Sequence, residues 1–171
     1  VVVDPKGRDY GIYRGATLIT PNRQELADAT RRAAGTDDEI AAAASELREE
    51  LGTQAVLVTR SEAGMSLVGK GAPVHVPAYP VRVRDVSGAG DTVVAVVSAM
   101  LAMQADFEAA MRAANAAAAV VVGKRGTATA SVAELRSRIL PAATLAAAEK
   151  IVFDWNVLDD HLADWRKRGL R

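Results

Sequence analysis

The chain has 171 residues, half of them apolar and a quarter charged, with aromatics at only 4%; this is a globular composition, long enough to bury a core of Ala, Val and Leu. Lys plus Arg and Asp plus Glu stand at 21 each, which speaks against a nucleic-acid-binding face, because such domains carry a basic excess. Cysteine is absent and the two histidines, His75 and His161, are far apart, so disulfides, thiolate zinc, cysteine nucleophiles and multi-histidine metal sites are excluded.

In chain order, residues 1–3 are a β-branched run read as a buried strand, stopped by the turn signal Asp4-Pro5. Residues 16–20 form a second apolar strand ending at Pro21-Asn22, and 23–34 carry a helical pattern with Leu26, Ala29 and Ala33 on one face. Thr36-Asp37-Asp38-Glu39 is a capping box that opens a helix through about Leu51, closed by Gly52. Residues 54–59 are apolar throughout, as in a strand buried on both faces of a parallel sheet. Short strands at 65–68 and 73–76 flank Gly69-Lys70-Gly71, and 81–86, where valines alternate with arginines, reads as one more strand.

A helix over 91–105 is apolar nearly all round, and a second follows Asp106 over 107–122. After a Gly/Thr turn at 123–129, Ser131 opens another helix with Glu134 three residues on. Alternating strands and helices at this spacing predict an α/β fold with helices on both faces of the sheet. Near Pro141 the composition turns alanine-rich, so 1–140 is read as one domain and 141–171, with Trp155 and Trp165, as a connector and amphipathic helix. The longest apolar run, 113–123, is interrupted by Asn115 and too short to span a bilayer. A cytoplasmic protein without membrane contact is expected, and an opening inside a strand at Val1 reads as a fragment.

The chemistry concentrates at Ser87-Gly88-Ala89-Gly90-Asp91-Thr92, where strand is expected to pass directly into helix. Glycines bracketing one small residue let backbone amides converge, and a helix start adds unpaired N–H groups and a positive dipole end. Such a turn suits a phosphate. A carboxylate beside it, Asp91, can take a proton from an incoming hydroxyl. Taken alone, the aspartate is better explained as a first-turn residue complementing the dipole, and only the whole surrounding string favours chemistry. No G-x-G-x-x-G opens a helix after the first strand and no glycine turn runs into Gly-Lys-Ser/Thr, which disfavours a dinucleotide fold and a P-loop.

The whole string Asp85-Val86-Ser87-Gly88-Ala89-Gly90-Asp91-Thr92 resembles the second signature of the ribokinase-like carbohydrate kinases. The resemblance implies the C-terminal half of a three-layer α/β/α sandwich with a mostly parallel sheet. It makes Asp91 the catalytic base and Gly88, Ala89 and Gly90 the anion hole. Asn22 and Glu25, in Thr20-Pro21-Asn22-Arg23-Gln24-Glu25, are similar to the family's Asn-x-x-Glu element, which holds magnesium and phosphates through water; a helix cap with a first-turn glutamate reads equally well. Thr59 and Gly64 resemble the nucleotide-side strand end. Asn115 resembles the asparagine near the adenine, or bonds neighbouring backbone. Lys6, in Asp4-Pro5-Lys6-Gly7, is placed on the nucleotide phosphates or in solvent.

Asp4-Pro5-Lys6-Gly7, the segment 120–127 and the tail resemble the kinase domain and connector of bifunctional heptose 7-phosphate kinase/heptose 1-phosphate adenylyltransferases. Implied are ATP, Mg2+ and a monovalent cation, a sugar phosphate substrate, a homodimer, and partner segments lying in an N-terminal kinase half and an adenylyltransferase domain. The nucleotidyltransferase signature His-x-Gly-His is not in these residues. Rival readings are another ribokinase-like sugar or nucleoside kinase, or a non-catalytic nucleotide-binding fragment.

Overall fold

A computed structural model describes residues 1–7 and 9–139. The chain divides into two units, Val1–Leu135 and Arg136–Arg171, and the fold below is that of the first. The expected connector at 141–171, with Trp155 and Trp165, and the boundary near Pro141 lie outside the described residues.

Five strands, β1 (Val2–Val3), β2 (Leu18–Ile19), β3 (Ala55–Thr59), β4 (Met65–Val68) and β5 (Val74–Val76), form one sheet in sequence order. β1, β2 and β3 pair in parallel, with Val2 opposite Leu18 and Leu18 opposite Ala55. β4 runs antiparallel to both β3 and β5. Four strands therefore point one way and β4 the other, the mostly parallel sheet of the expected α/β fold.

Alternation along each strand divides the core in two. Ile19, Val56, Val58 and Val68 face one side, where they pack with Leu26 of α1 (Arg23–Thr30) and Ile40, Ala43, Ala44 and Leu47 of α2 (Asp37–Leu51). Leu18, Ala55, Leu57, Met65 and Leu67 face the other. There they meet Val93 and Val97 of α3 (Ala89–Ala102) and Ala110, Met111 and Ala114 of α4 (Phe107–Val122). The alanines of α4 let it lie close on the sheet, which is how a chain poor in aromatics fills its core. The result is helix, sheet, helix.

The caps form where the sequence places them. Thr36 accepts from the Glu39 amide while the Glu39 carboxylate receives the Thr36 and Gly35 amides, and these backbone bonds hold that carboxyl below its ordinary range. Gly52 ends α2 at φ +63. Asp106 caps α4, and Ser131 and Glu134 cap α5 (Val132–Ile139) reciprocally.

Four expectations are corrected. Residues 81–86 form no strand: Pro80 lacks an N–H, and the Arg84 and Asp85 amides both go to one carbonyl, that of Val122 at the end of α4. Val83 and Val86 are 57% and 68% exposed, so this alternation does not mark a core face. The helix expected over 91–105 runs Ala89–Ala102, because Gly88 at φ +76 serves as its N-cap. α1 stops at Thr30, four residues short of Ala34, where Arg31 turns left-handed. Finally, Val1 is exposed and Val2 and Val3 half-buried, since β1 lies at the edge of the sheet that the described residues form.

Candidate active site

Three parallel strands end side by side, and the residues at their carboxyl ends, Asp4, Thr20 and Thr59, open into one polar hollow of about 190 Å3. Ligands of α/β sheets bind at this end because the loops and helix starts meet there. Asn22 and Glu25 enter from the first turn of α1, Lys6 from the loop after β1, and Gly88, Gly90 and Asp91 from the start of α3.

Against it lies a larger and mostly apolar cavity of about 640 Å3. One wall is the irregular segment 78–86, another the Ala118, Ala119 and Val122 side of α4, and a third the turn after β3. Thr59, Gly90 and Val93 line both spaces. The pair makes a long cleft with an apolar end for a flat ring and a polar end for charge.

The turn at 85–90 is braced from outside. Asp85 accepts from the Ser87 amide at 2.9 Å and from the Gly126 amide at 3.1 Å, and these bonds, Ser87 first, hold its carboxyl below the usual range. Gly88 takes the left-handed φ that lets the chain enter α3. The Ala89 amide is committed to Val86 O at 3.2 Å, whereas the Gly90 and Asp91 amides, in the first turn, have no backbone acceptor among the described residues. Of the expected anion hole, Gly90 thus offers a free donor and Ala89 shapes the turn.

Asp91 is the third residue of α3, exposed, with no hydrogen-bond or ion-pair partner for its carboxylate among the described residues. It remains compatible with the dipole, but the carboxylate is available to a ligand in the polar hollow. Asn22 and Glu25 make a reciprocal cap: the Asn22 oxygen accepts from the Glu25 amide at 2.9 Å, and Glu25 accepts from the Asn22 amide at 2.8 Å. The capping and functional readings are therefore not exclusive, since both side chains also line the hollow.

Lys6 Nζ sits 3.0 Å from Asp4 and 3.5 Å from Glu25, and the Asp4 bond leads in raising its pKa, so it is a firm cation at this end. Among the described residues no three carboxylates or histidines cluster tightly enough to hold a metal unaided. The oxygens of Asn22 and Glu25 suit magnesium that keeps its waters and rides on phosphates.

At the apolar end, Asn115 is 6% exposed and donates to Pro77 O at 2.8 Å, a distant backbone partner rather than a neighbouring one. Gly64 takes φ +94, and a Cβ there would lie 2.0 Å from Val76 O. Every site residue expected from sequence lines one of the two spaces. The sequence motifs point to no site role for Asp4, Thr20, Tyr79 or Asp85; the first two belong to the hollow because ligands gather at parallel strand ends.

A family model described as pfkB family carbohydrate kinase matches residues 1–134. The bifunctional protein HldE of Rhodopseudomonas palustris (strain BisB5) is 59% identical over all of this chain, which spans 35% of that protein's length. Ribokinase from Arabidopsis thaliana, solved with ribose and ATP, superposes with a TM-score of 0.75 at 23% identity, over 82% of this chain and 47% of that one. Phosphofructokinase-2 from Escherichia coli, solved with potassium, gives a TM-score of 0.74 at 25% identity, over 80% and 45%.

Proposed function

Because the chain belongs to the pfkB family of carbohydrate kinases, we propose that it is the nucleotide-binding, catalytic-base part of an ATP-dependent sugar kinase. The observation that carries this reading is the joining of an apolar cavity to a polar hollow at the unpaired amides of α3, with the free Asp91 carboxylate beside them.

In this reading adenine occupies the apolar cavity near Asn115 and Gly64, and the phosphates extend past Thr59 to Gly90. Lys6 supplies a point charge to them. Asn22 and Glu25 would hold Mg2+ through water, and the metal would neutralise phosphate charge. Asp91 accepts the proton of the sugar hydroxyl as that oxygen attacks the γ-phosphorus. The bond to the bridging oxygen breaks and ADP leaves, the new charge resting on the amides of the first turn of α3.

The sugar we propose is D-glycero-β-D-manno-heptose 7-phosphate, phosphorylated at the 1-hydroxyl to the 1,7-bisphosphate for ADP-heptose and lipopolysaccharide core synthesis in the cytoplasm. Support comes from the Asp4-Pro5-Lys6-Gly7 and 120–127 segments and from the 59% identity over the whole chain to the bifunctional HldE protein. The braced loops at Asp85 and Gly126 are the natural seat for a monovalent cation; E. coli phosphofructokinase-2 has been solved with potassium. No described helix is long and apolar enough to cross a membrane.

The test is phosphate transfer from ATP by the full-length protein, with this heptose phosphate beside ribose and fructose 6-phosphate. Preference for the heptose phosphate is expected. Preference for another sugar would replace the substrate but keep the kinase, and no transfer to any sugar would overturn the reading.

A further inference from the structure

We propose that Arg60 is a positioning residue for the nucleotide cavity, holding the turn 61–64 in the shape that forms one of its walls. The inference rests on the nucleotide-binding reading of that cavity. Arg60 is absent from the cavity lining; Ser61, Glu62 and Gly64 are in it.

Arg60 follows β3 directly, and its side chain is only 8% exposed. A guanidinium taken out of water is costly unless its donors are used. Nη2 donates to Ala63 O at 2.8 Å and Nη1 is paired with Asp37 Oδ1, while Nε is buried without a partner among the described residues, so the two outer donors carry the compensation. The backbone closes the same loop, with the Arg60 amide on Gly64 O at 2.8 Å and the Ala63 amide on Arg60 O at 3.0 Å. One residue thus ties both ends of the turn to itself.

The turn needs that restraint. Ser61 sits at φ +53, a left-handed conformation that a side chain disfavours, and Gly64 at φ +94. Backbone of this kind persists where its surroundings fix it, and it gathers at ligand clamps.

The anchor stands at a helix start, its side chain 56% exposed. Asp37 is the first residue of α2, where a carboxylate complements the helix dipole. Its second oxygen lies 4.0 Å from His75 Nδ1, which is 2.7 Å from the Ser66 hydroxyl. The planar fork of Arg60 reaches Asp37 and Ala63 O together; a lysine ammonium has no such fork. The rival explanation is an ion pair that contributes stability alone.

The two are separated by titrating the 171-residue chain with Mg2+ and a non-hydrolysable ATP analogue. Wild type, Arg60→Met, Arg60→Lys and Leu47→Ala are compared, each well below its own melting temperature. Leu47 is buried in α2, away from the cavity. Arg60→Met is expected to raise Kd about tenfold, as a turn competent one-tenth of the time would. Leu47→Ala should melt earlier yet bind as wild type.

Wild-type affinity in Arg60→Met would overturn the proposal. So would an equal weakening in Leu47→Ala, because lost stability would then explain both. Should the Met variant not fold, Arg60→Lys carries the test: a several-fold weaker Kd supports the role and an unchanged one sinks it. If wild type itself does not bind, the nucleotide reading fails, and this inference with it.

Discussion

Replacing Asp91 by asparagine is expected to slow phosphoryl transfer by on the order of 10^2- to 10^4-fold, the usual contribution of a positioned base, while nucleotide binding survives. An amide matches the carboxylate in shape but cannot take the hydroxyl proton. The fold should not notice: the Asp91 side chain is exposed and has no protein partner among the described residues. Removing a negative charge beside the phosphates should, if anything, tighten ATP binding. Single-turnover transfer in the full-length protein, set beside the analogue Kd, checks both halves. Turnover near wild type would remove Asp91 from the role and leave it as a residue that complements the helix dipole.

Gly64→Ala is expected to damage the molecule more broadly. At φ +94 an L side chain is strained in any space, and here a Cβ would meet Val76 O at 2.0 Å and the Ala78 nitrogen at 2.6 Å. Both are backbone atoms, and Val76 is held by its pairing with Met65, so they cannot step aside as a flexible side chain would. A loss of about 3 kcal/mol or more follows, seen as a melting temperature lower by roughly 10 °C. Since Gly64 also lines the apolar cavity, what folds should bind the ATP analogue weakly. A variant that melts and binds like wild type would contradict the close approach of the turn to β5.

Much of this was legible from local chemistry. The Thr36 capping box and the Gly52 stop are written in residues a few positions apart, so α2 could be bounded from sequence, and the helical run after Asp106 located α4. Apolar runs likewise located β3 and β4. The misreadings came where partners are distant. Residues 81–86 alternate like a strand, yet the Arg84 and Asp85 amides bond the end of α4, and Val83 and Val86 are exposed. The N-cap role of Gly88 depends on a left-handed φ that composition does not reveal, which displaced the start of α3 by two residues.

The site shows the same division. The Gly88-Ala89-Gly90-Asp91 turn stood out because glycines and a carboxylate at a helix start have a chemical meaning at short range. Asp4 and Thr20 did not, because the parallel pairing of β1 with β2 sets them side by side and the packing of α3 against β1 brings Asp91 to them. Asp85 was visible as part of the motif, but its bond to Gly126 spans 41 residues. Asn115 was expected to need a partner, and the one it found, Pro77 O, lies 38 residues away.

The central claim is that the two joined spaces bind a nucleotide with its phosphates at the start of α3. It is tested most directly by calorimetric titration of this chain with Mg2+ and a non-hydrolysable ATP analogue, beside Gly90→Val. Apart from its chain neighbours and its own helix backbone, no atom of the described residues lies within 4 Å of where a Cβ on Gly90 would stand, so valine there should leave the fold intact and intrude on the space assigned to phosphate. Saturable binding by wild type that Gly90→Val loses, with both chains melting cooperatively, is the predicted result. Absence of binding by a cooperatively folded wild type, or equal binding by both, would contradict the claim.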